Sequence, residues 1–122
     1  MFCAKLERRY MINWAHVAEL YAEFGEDAFV EVLQVFMSEV TEGLATLAAA
    51  QSPAEHRESF HFLKGAALNL GFEEVAALCD EGEIRAESRA DFIEQKAQIM
   101  ILFPSTFAQF EQTWRDRIAL AG

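Results

Sequence analysis

The chain has 122 residues and a formal net charge of −10, from 10 Lys and Arg against 20 Asp and Glu, with 52% apolar and 25% charged residues. That is one domain's worth of chain, apolar enough to bury a core without disulfides or a structural metal, and it excludes a disordered polymer. No third of the sequence is basic, so the surface repels phosphate backbones and anionic lipid, and neither nucleic-acid nor membrane-surface binding is expected.

Two prolines and six glycines argue against a turn-rich β-sandwich. Cys3 and Cys79 are too few for a disulfide framework and too far apart for a metal knuckle, so they are expected as reduced thiols in a cytoplasmic protein. Lys5, Glu7, Arg8 and Arg9 interrupt the start of the chain, which leaves no signal-peptide pattern. The longest apolar stretch, Ile99–Phe103, is far short of a bilayer span. We treat residues 1–122 as a single domain, with 1–12 as an N-terminal extension or short helix. The initial Met and the length favour a free-standing protein over a piece of a larger kinase.

Apolar residues recur at three- and four-residue steps almost throughout, and strand-like alternation is absent, so the expected class is all-α. A first helix should start after Asn13, a good N-cap, with Ile12 and Val17 at the positions of a hydrophobic staple. Gly25 suits its C-terminal end. A second helix is expected from about Glu26 to Ala50, its first-turn acids favoured by the helix dipole. Phe29, Leu33, Phe36, Val40, Leu44 and Leu47 form its buried stripe. Ser52-Pro53-Ala54-Glu55 is a capping box with proline at the first helical position, and Gly71 is the expected end of that third helix. Glu73 and Glu74 open a fourth helix, carrying Val75, Leu78 and Cys79, and Ser88 and Asp91 mark the next start. Phe92, Ile99, Phe103, Phe110, Trp114 and Ile118 make the apolar face of the last helix, which Pro104 should kink or split. The expected architecture is an antiparallel up-down four-helix bundle with a short extra N-terminal helix across one end.

The third helix carries the informative residues. At about 100° per residue, Phe60, Leu63, Ala67 and Leu70 cluster on one side, and His61 points roughly 140° away from that stripe. Gly65 shares the outward face one turn on, and Lys64 flanks it. A glycine in mid-helix costs about 1 kcal/mol relative to alanine. It marks either a close helix–helix contact or a cleared approach to the imidazole. An exposed imidazole with a neighbouring cation and open access fits a nucleophile for a phosphoryl group, because a neutral ring nitrogen attacks without first losing a proton. Lys64 would then stabilise the anionic product. Leu68 and Phe62 flank the site as a candidate docking patch, although Phe62 leans towards the core. Arg57 and Glu58, one turn earlier, are further candidate partner contacts. His16 and His56 read as solvated surface residues. His56 and His61 lie about 140° apart on the helix and cannot share a metal. No inward His/Glu pairs line up for a bundle metal site, so no metal is expected.

His61-Phe62-Leu63-Lys64-Gly65-Ala66-Ala67-Leu68-Asn69-Leu70-Gly71 resembles the signature of histidine-containing phosphotransfer (HPt) domains, with a lysine three and glycines four and ten residues after the histidine. Val75 to Cys79 and Glu83 resemble that family's next helix, and Phe36 and Leu47 fit its long preceding one. Two departures are Gly82, where a larger apolar residue usually precedes Glu83, and Pro104. The resemblance implies a phosphorelay carrier rather than an enzyme. His61 would take a phosphoryl group from the aspartyl phosphate of a response-regulator receiver domain and pass it to another. A hybrid sensor histidine kinase would stand upstream, and the carrier would act as a monomer with no cofactor of its own, the receiver supplying Mg²⁺. In agreement, the chain has no Gly-rich phosphate loop and no kinase ATP-binding motif. The competing expectation is a helical interaction module that binds a receiver or kinase without carrying phosphate.

Overall fold

Capping chemistry sets the helix boundaries. In the computed structural model, which describes residues 11–121, five α-helices follow one another with no strand among the described residues. They are α1 (Trp14–Phe24), α2 (Glu26–Ala49), α3 (Pro53–Leu70), α4 (Glu73–Glu87) and α5 (Ile93–Ala121). Cys3 and the expected extension up to residue 10 lie outside the described residues. Asn13 caps α1 by accepting from the His16 N–H at 3.1 Å. The capping box of α3 is complete: the Ser52 hydroxyl accepts from the Glu55 N–H at 3.1 Å, and the Glu55 carboxylate accepts from the Ser52 and Gln51 N–H groups. Those two backbone donors hold the Glu55 carboxyl below its ordinary range.

Helix α3 packs most extensively on α4 and next on α2, α4 also packs on α5, and α1 rests on α5 and α2. The expected stripes face inward. Phe60, Leu63, Ala67 and Leu70 of α3 are buried, as are Phe29, Leu33, Val40, Leu44 and Leu47 of α2, with Phe36 half-buried against the same core. Phe72, between α3 and α4, makes edge contacts with Phe103, Phe107 and Phe110 of α5 at 5.5–6.0 Å between centroids. Such pairs contribute beyond their area.

The segment before α1 is tied to the α3–α4 turn. The Asn13 N–H donates to the Gly71 carbonyl at 2.7 Å, the Glu73 N–H donates to the Met11 carbonyl at 3.0 Å, and Ile12 bridges Phe72. Gly71 is required twice over: its φ is +76°, and a Cβ there would lie 3.0 Å from the Asn13 carbonyl oxygen. The far end of α3 is thereby fixed, and with it the phase of the helix.

Several expectations are corrected. Pro104 does not split the last helix, which runs unbroken for 29 residues. The proline sits on the exposed face, where solvent can replace the missing donor. Ser88 closes α4 rather than opening α5. Its N–H donates to the Ile84 carbonyl, and Asp91 alone serves the next helix by accepting from the Ile93 N–H at 3.0 Å. Neither His16 nor His56 is a solvated surface residue. His16 is half-buried and bonds the Asn69 carbonyl through Nε2 at 2.9 Å. His56 is only 5% exposed, because it lies one turn back on the same stripe as Phe60 and Leu63. Gly82, the departure noted in the fourth helix, receives the Phe60 ring, to which a Cβ would come within 2.8 Å. Two helices meet closely there because the side chain is absent.

Candidate functional site

The turn at Gly71 sends α4 back along α3, so residues equidistant from Phe72 come together. His61 and Glu83 lie eleven residues to either side of Phe72, and Lys64 and Asp80 lie eight. These residues form the outward cluster. The His61 side chain is 68% exposed and its Nδ1 lies 3.0 Å from Glu83 Oε2. A carboxylate only accepts, so Nδ1 carries the proton and donates it. The other ring nitrogen, Nε2, makes no hydrogen bond among the described residues.

The second oxygen of Glu83 is enclosed and faces the Lys64 ammonium at 2.7 Å, and Lys64 also donates to Asp80 Oδ1 at 3.2 Å. One carboxylate thus spans the imidazole and the ammonium. The Lys64 ammonium holds the Glu83 carboxyl below its ordinary range, with the His61 hydrogen bond adding to it against the cost of burial. Reciprocally, Glu83 and then Asp80 raise Lys64 above its ordinary range. Lys64 therefore does not stand free beside the ring as the spacing alone suggests. It is bonded across to α4, because two carboxylates one turn apart on that helix face it.

Gly65 is the other informative residue. A Cβ there would meet nothing within 4 Å, whereas Cβ atoms at Gly43 and Gly82 would run into the rings of Phe62 and Phe60 at 2.9 and 2.8 Å. Close helix packing therefore accounts for Gly43 and Gly82 and not for Gly65, which leaves open space one turn from His61. Leu68, a further turn along the same face, is 55% exposed. Phe62, expected to lean into the core, is 47% exposed; its ring lies against Gly43 of α2 at the edge of the seam between the two helices. Glu58 is exposed and Arg57 half-buried. Beneath the site Cys79 is fully buried, and burial pushes its thiol up to about 12, so it fills the core as an inert group.

Glu83 as the partner of both His61 and Lys64, with Asp80 beside it, was not singled out from the sequence. The signal was present in the equal spacing about the turn, but it becomes usable only once the pairing of α3 with α4 is known. Among the described residues no group of three or more His, Cys, Asp or Glu is placed to hold a metal ion, and no helix is long and apolar enough to cross a membrane.

A family model described as Hpt domain matches residues 31–119, which takes in most of α2, the whole of α3 and α4, and α5 to within two residues of its end. The chain belongs to the Hpt domain family. No curated protein and no solved structure matches it. Hpt domains are phosphocarrier modules rather than classical enzymes, and they serve histidine phosphotransfer in phosphorelay signalling, where they interact with receiver domains and kinases. In this Hpt domain α1 lies outside the matched region and adds a further helix against α5 and α2.

Proposed function

We propose that His61 is the phosphorylated residue, taking the group from the aspartyl phosphate of one receiver domain and giving it to another. The observation that carries this reading is an exposed imidazole whose Nδ1–H is held by Glu83 while Nε2 makes no hydrogen bond among the described residues. In the forward step the Nε2 lone pair attacks phosphorus. The N–P bond forms, the P–O bond to the aspartyl carboxylate breaks, and that carboxylate leaves with the electron pair. No proton need depart, because the ring keeps its Nδ1–H and becomes cationic, and the Glu83 carboxylate stabilises that charge.

Lys64 has three N–H donors; two are engaged by Glu83 and Asp80, and the third is available to a phosphoryl oxygen. Lys64, Glu83 and Asp80 together remain net negative, so the site does not clamp the anion tightly. That suits a carrier that must release what it accepts. Gly65 gives clearance for the receiver's acidic pocket, whose Mg²⁺ would belong to the receiver. Leu68 and Phe62, with Glu58 and Arg57, are the proposed docking residues. We further take the short connections to mean an up-down antiparallel bundle, acting as a monomer in the cytoplasm.

The test is incubation with receiver domains charged by acetyl phosphate. Acid-labile, alkali-stable label on the wild-type chain, absent from His61→Ala, is the expected result. Label on His61→Ala overturns the assignment of the residue. Binding and signalling output that survive in His61→Ala favour the phosphate-free interaction module instead.

A further inference from the structure

A groove of about 750 Å³ lies between α2 and α3. Phe62 lines it and Lys64 faces α4; the two differ by about 160° around the helix, so groove and Glu83 cluster occupy opposite flanks of His61. Its floor is apolar: Gly43 lets the half-exposed Phe62 ring lie against the α2 backbone. Its rim is acidic, with Glu39 and Glu42 from α2 and Glu58 from α3, and no lysine or arginine among the described residues lines it. None of these three glutamates forms an ion pair among the described residues.

A second, independent feature sits inside. Ser59 lines the groove, is only 6% exposed, and its hydroxyl makes no hydrogen bond among the described residues. Serine hydroxyls in helices commonly bond the carbonyl one turn back, as Ser105 does here at 2.8 Å. The Ser59 hydroxyl is not among the enclosed unpartnered atoms, so water reaches it from the groove, and an incoming polar group can take that water's place.

We propose that this groove is a docking site for a basic, amphipathic segment of a partner protein. An arginine or lysine of that segment pairs with Glu39, Glu42 and Glu58, its carbon stem or an adjacent apolar residue rests on Phe62, and the Ser59 hydroxyl takes a hydrogen bond from the segment. Charge complementarity selects this occupant, since the same rim repels phosphate-bearing ligands and anionic membranes. The groove shares Phe62 and Glu58 with the docking residues proposed above and extends that surface, while binding of a segment there does not depend on the chemistry of His61.

The test uses the full chain, ¹⁵N-labelled and titrated with a synthetic helical peptide of alternating arginine and leucine faces, beside a counterpart with glutamate for arginine. Amide shifts should concentrate around residues 39–46 and 55–62 for the basic peptide alone. Affinity should fall about tenfold in Glu39→Gln/Glu42→Gln/Glu58→Gln and about tenfold in Phe62→Ser, as expected for several exposed charge pairs and one aromatic anchor. The control Glu19→Gln/Glu31→Gln/Glu111→Gln, which removes the same charge elsewhere, should lose less than about threefold, and His61→Ala should bind unchanged. Circular dichroism confirms that each variant is folded. Equal losses in the two triple variants, or shifts scattered over the whole surface, overturn the proposal in favour of unspecific attraction. Shifts of the same amides by magnesium chloride alone, with none from the peptide, overturn it in favour of a cation site.

Discussion

Helix α3 carries two histidines whose surroundings are opposite in kind. His61 faces water with one nitrogen bonded to a carboxylate and the other without a hydrogen bond among the described residues. His56 is buried, its Nδ1 donating to the Ser52 carbonyl at 2.8 Å and its Nε2 accepting from the Lys96 ammonium at 2.8 Å. The Phe92 and Phe60 rings lie against it, at centroid distances of 4.5 and 6.3 Å. Each histidine has a lysine in its surroundings, yet the lysine at His56 consumes the last lone pair, whereas the one near His61 is held on the carboxylates instead. Which ring nitrogen is available on this helix is therefore set by what the surrounding groups leave unbonded, rather than by which residue type is present.

The sharpest break between the two is substitution of each in turn. His61→Ala should reduce phosphohistidine formation to background in a receiver-to-carrier assay, with the urea unfolding midpoint almost unmoved, since exposed substitutions change stability by within about 0.5 kcal/mol. His56→Ala should do the reverse. It removes two hydrogen bonds and leaves a hole beside Phe60 and Phe92, at a cost of about 2–3 kcal/mol in urea unfolding. Transfer per folded molecule should stay unchanged. A His56→Ala protein of full stability would show that the buried pair contributes nothing.

The two glycines sharpen the same contrast at smaller scale. Gly82→Ala places a methyl group 2.8 Å from the Phe60 ring and should lose about 1–3 kcal/mol through overpacking. Gly65→Ala meets nothing within 4 Å and should gain up to about 1 kcal/mol from helix propensity. It should nevertheless slow transfer if His61 is the proposed nucleophile, because the added carbon stands one turn from it. Thermal melts and transfer rates on the same two proteins check both halves.

The smallest effect is the pH dependence of the outward cluster. Glu83 titrates below its ordinary 4.5 in the folded chain, chiefly because of Lys64. Its contribution to stability is present above that ordinary value and is lost as pH falls through the folded one. Lys64 titrates above its ordinary 10.5, chiefly because of Glu83. Its contribution is present below that value and is lost as pH rises through the folded one. Urea midpoints for Glu83→Gln should show a shallower fall in acid than the wild type. The remaining acid sensitivity includes the Glu55 cap, whose carboxyl is held low by backbone N–H groups.

Local signals were legible before any coordinates. The Asn13 cap, the capping box at Ser52, the glycine stop at Gly71 and the inward stripes of α2 and α3 each follow from chemistry within a turn or two of chain. The outward placement of His61 and Gly65 follows from the same periodicity. What escaped depends on contacts between helices. Glu83 becomes a partner of His61 only through the pairing of α3 with α4 about Phe72, and the half-exposed Phe62 ring finds its place against α2 only because the facing residue there is Gly43. The inward turn of His56 was in principle available, since it continues the stripe of Phe60 and Leu63. A titratable residue there is hidden from any rule that places histidines by polarity, because its burial is stabilised by Ser52 and Lys96 from outside its own turn.

Cys79 lies between Leu78 and Asp80 on α4, fully enclosed and protonated at ordinary pH. Alkylating reagents act on thiolates, so this sulfur is silent until the helix pair separates. Its labelling by iodoacetamide, distinguished from that of Cys3 by peptide mapping, would act as a stopwatch for the opening of the very contact that holds His61 in phase.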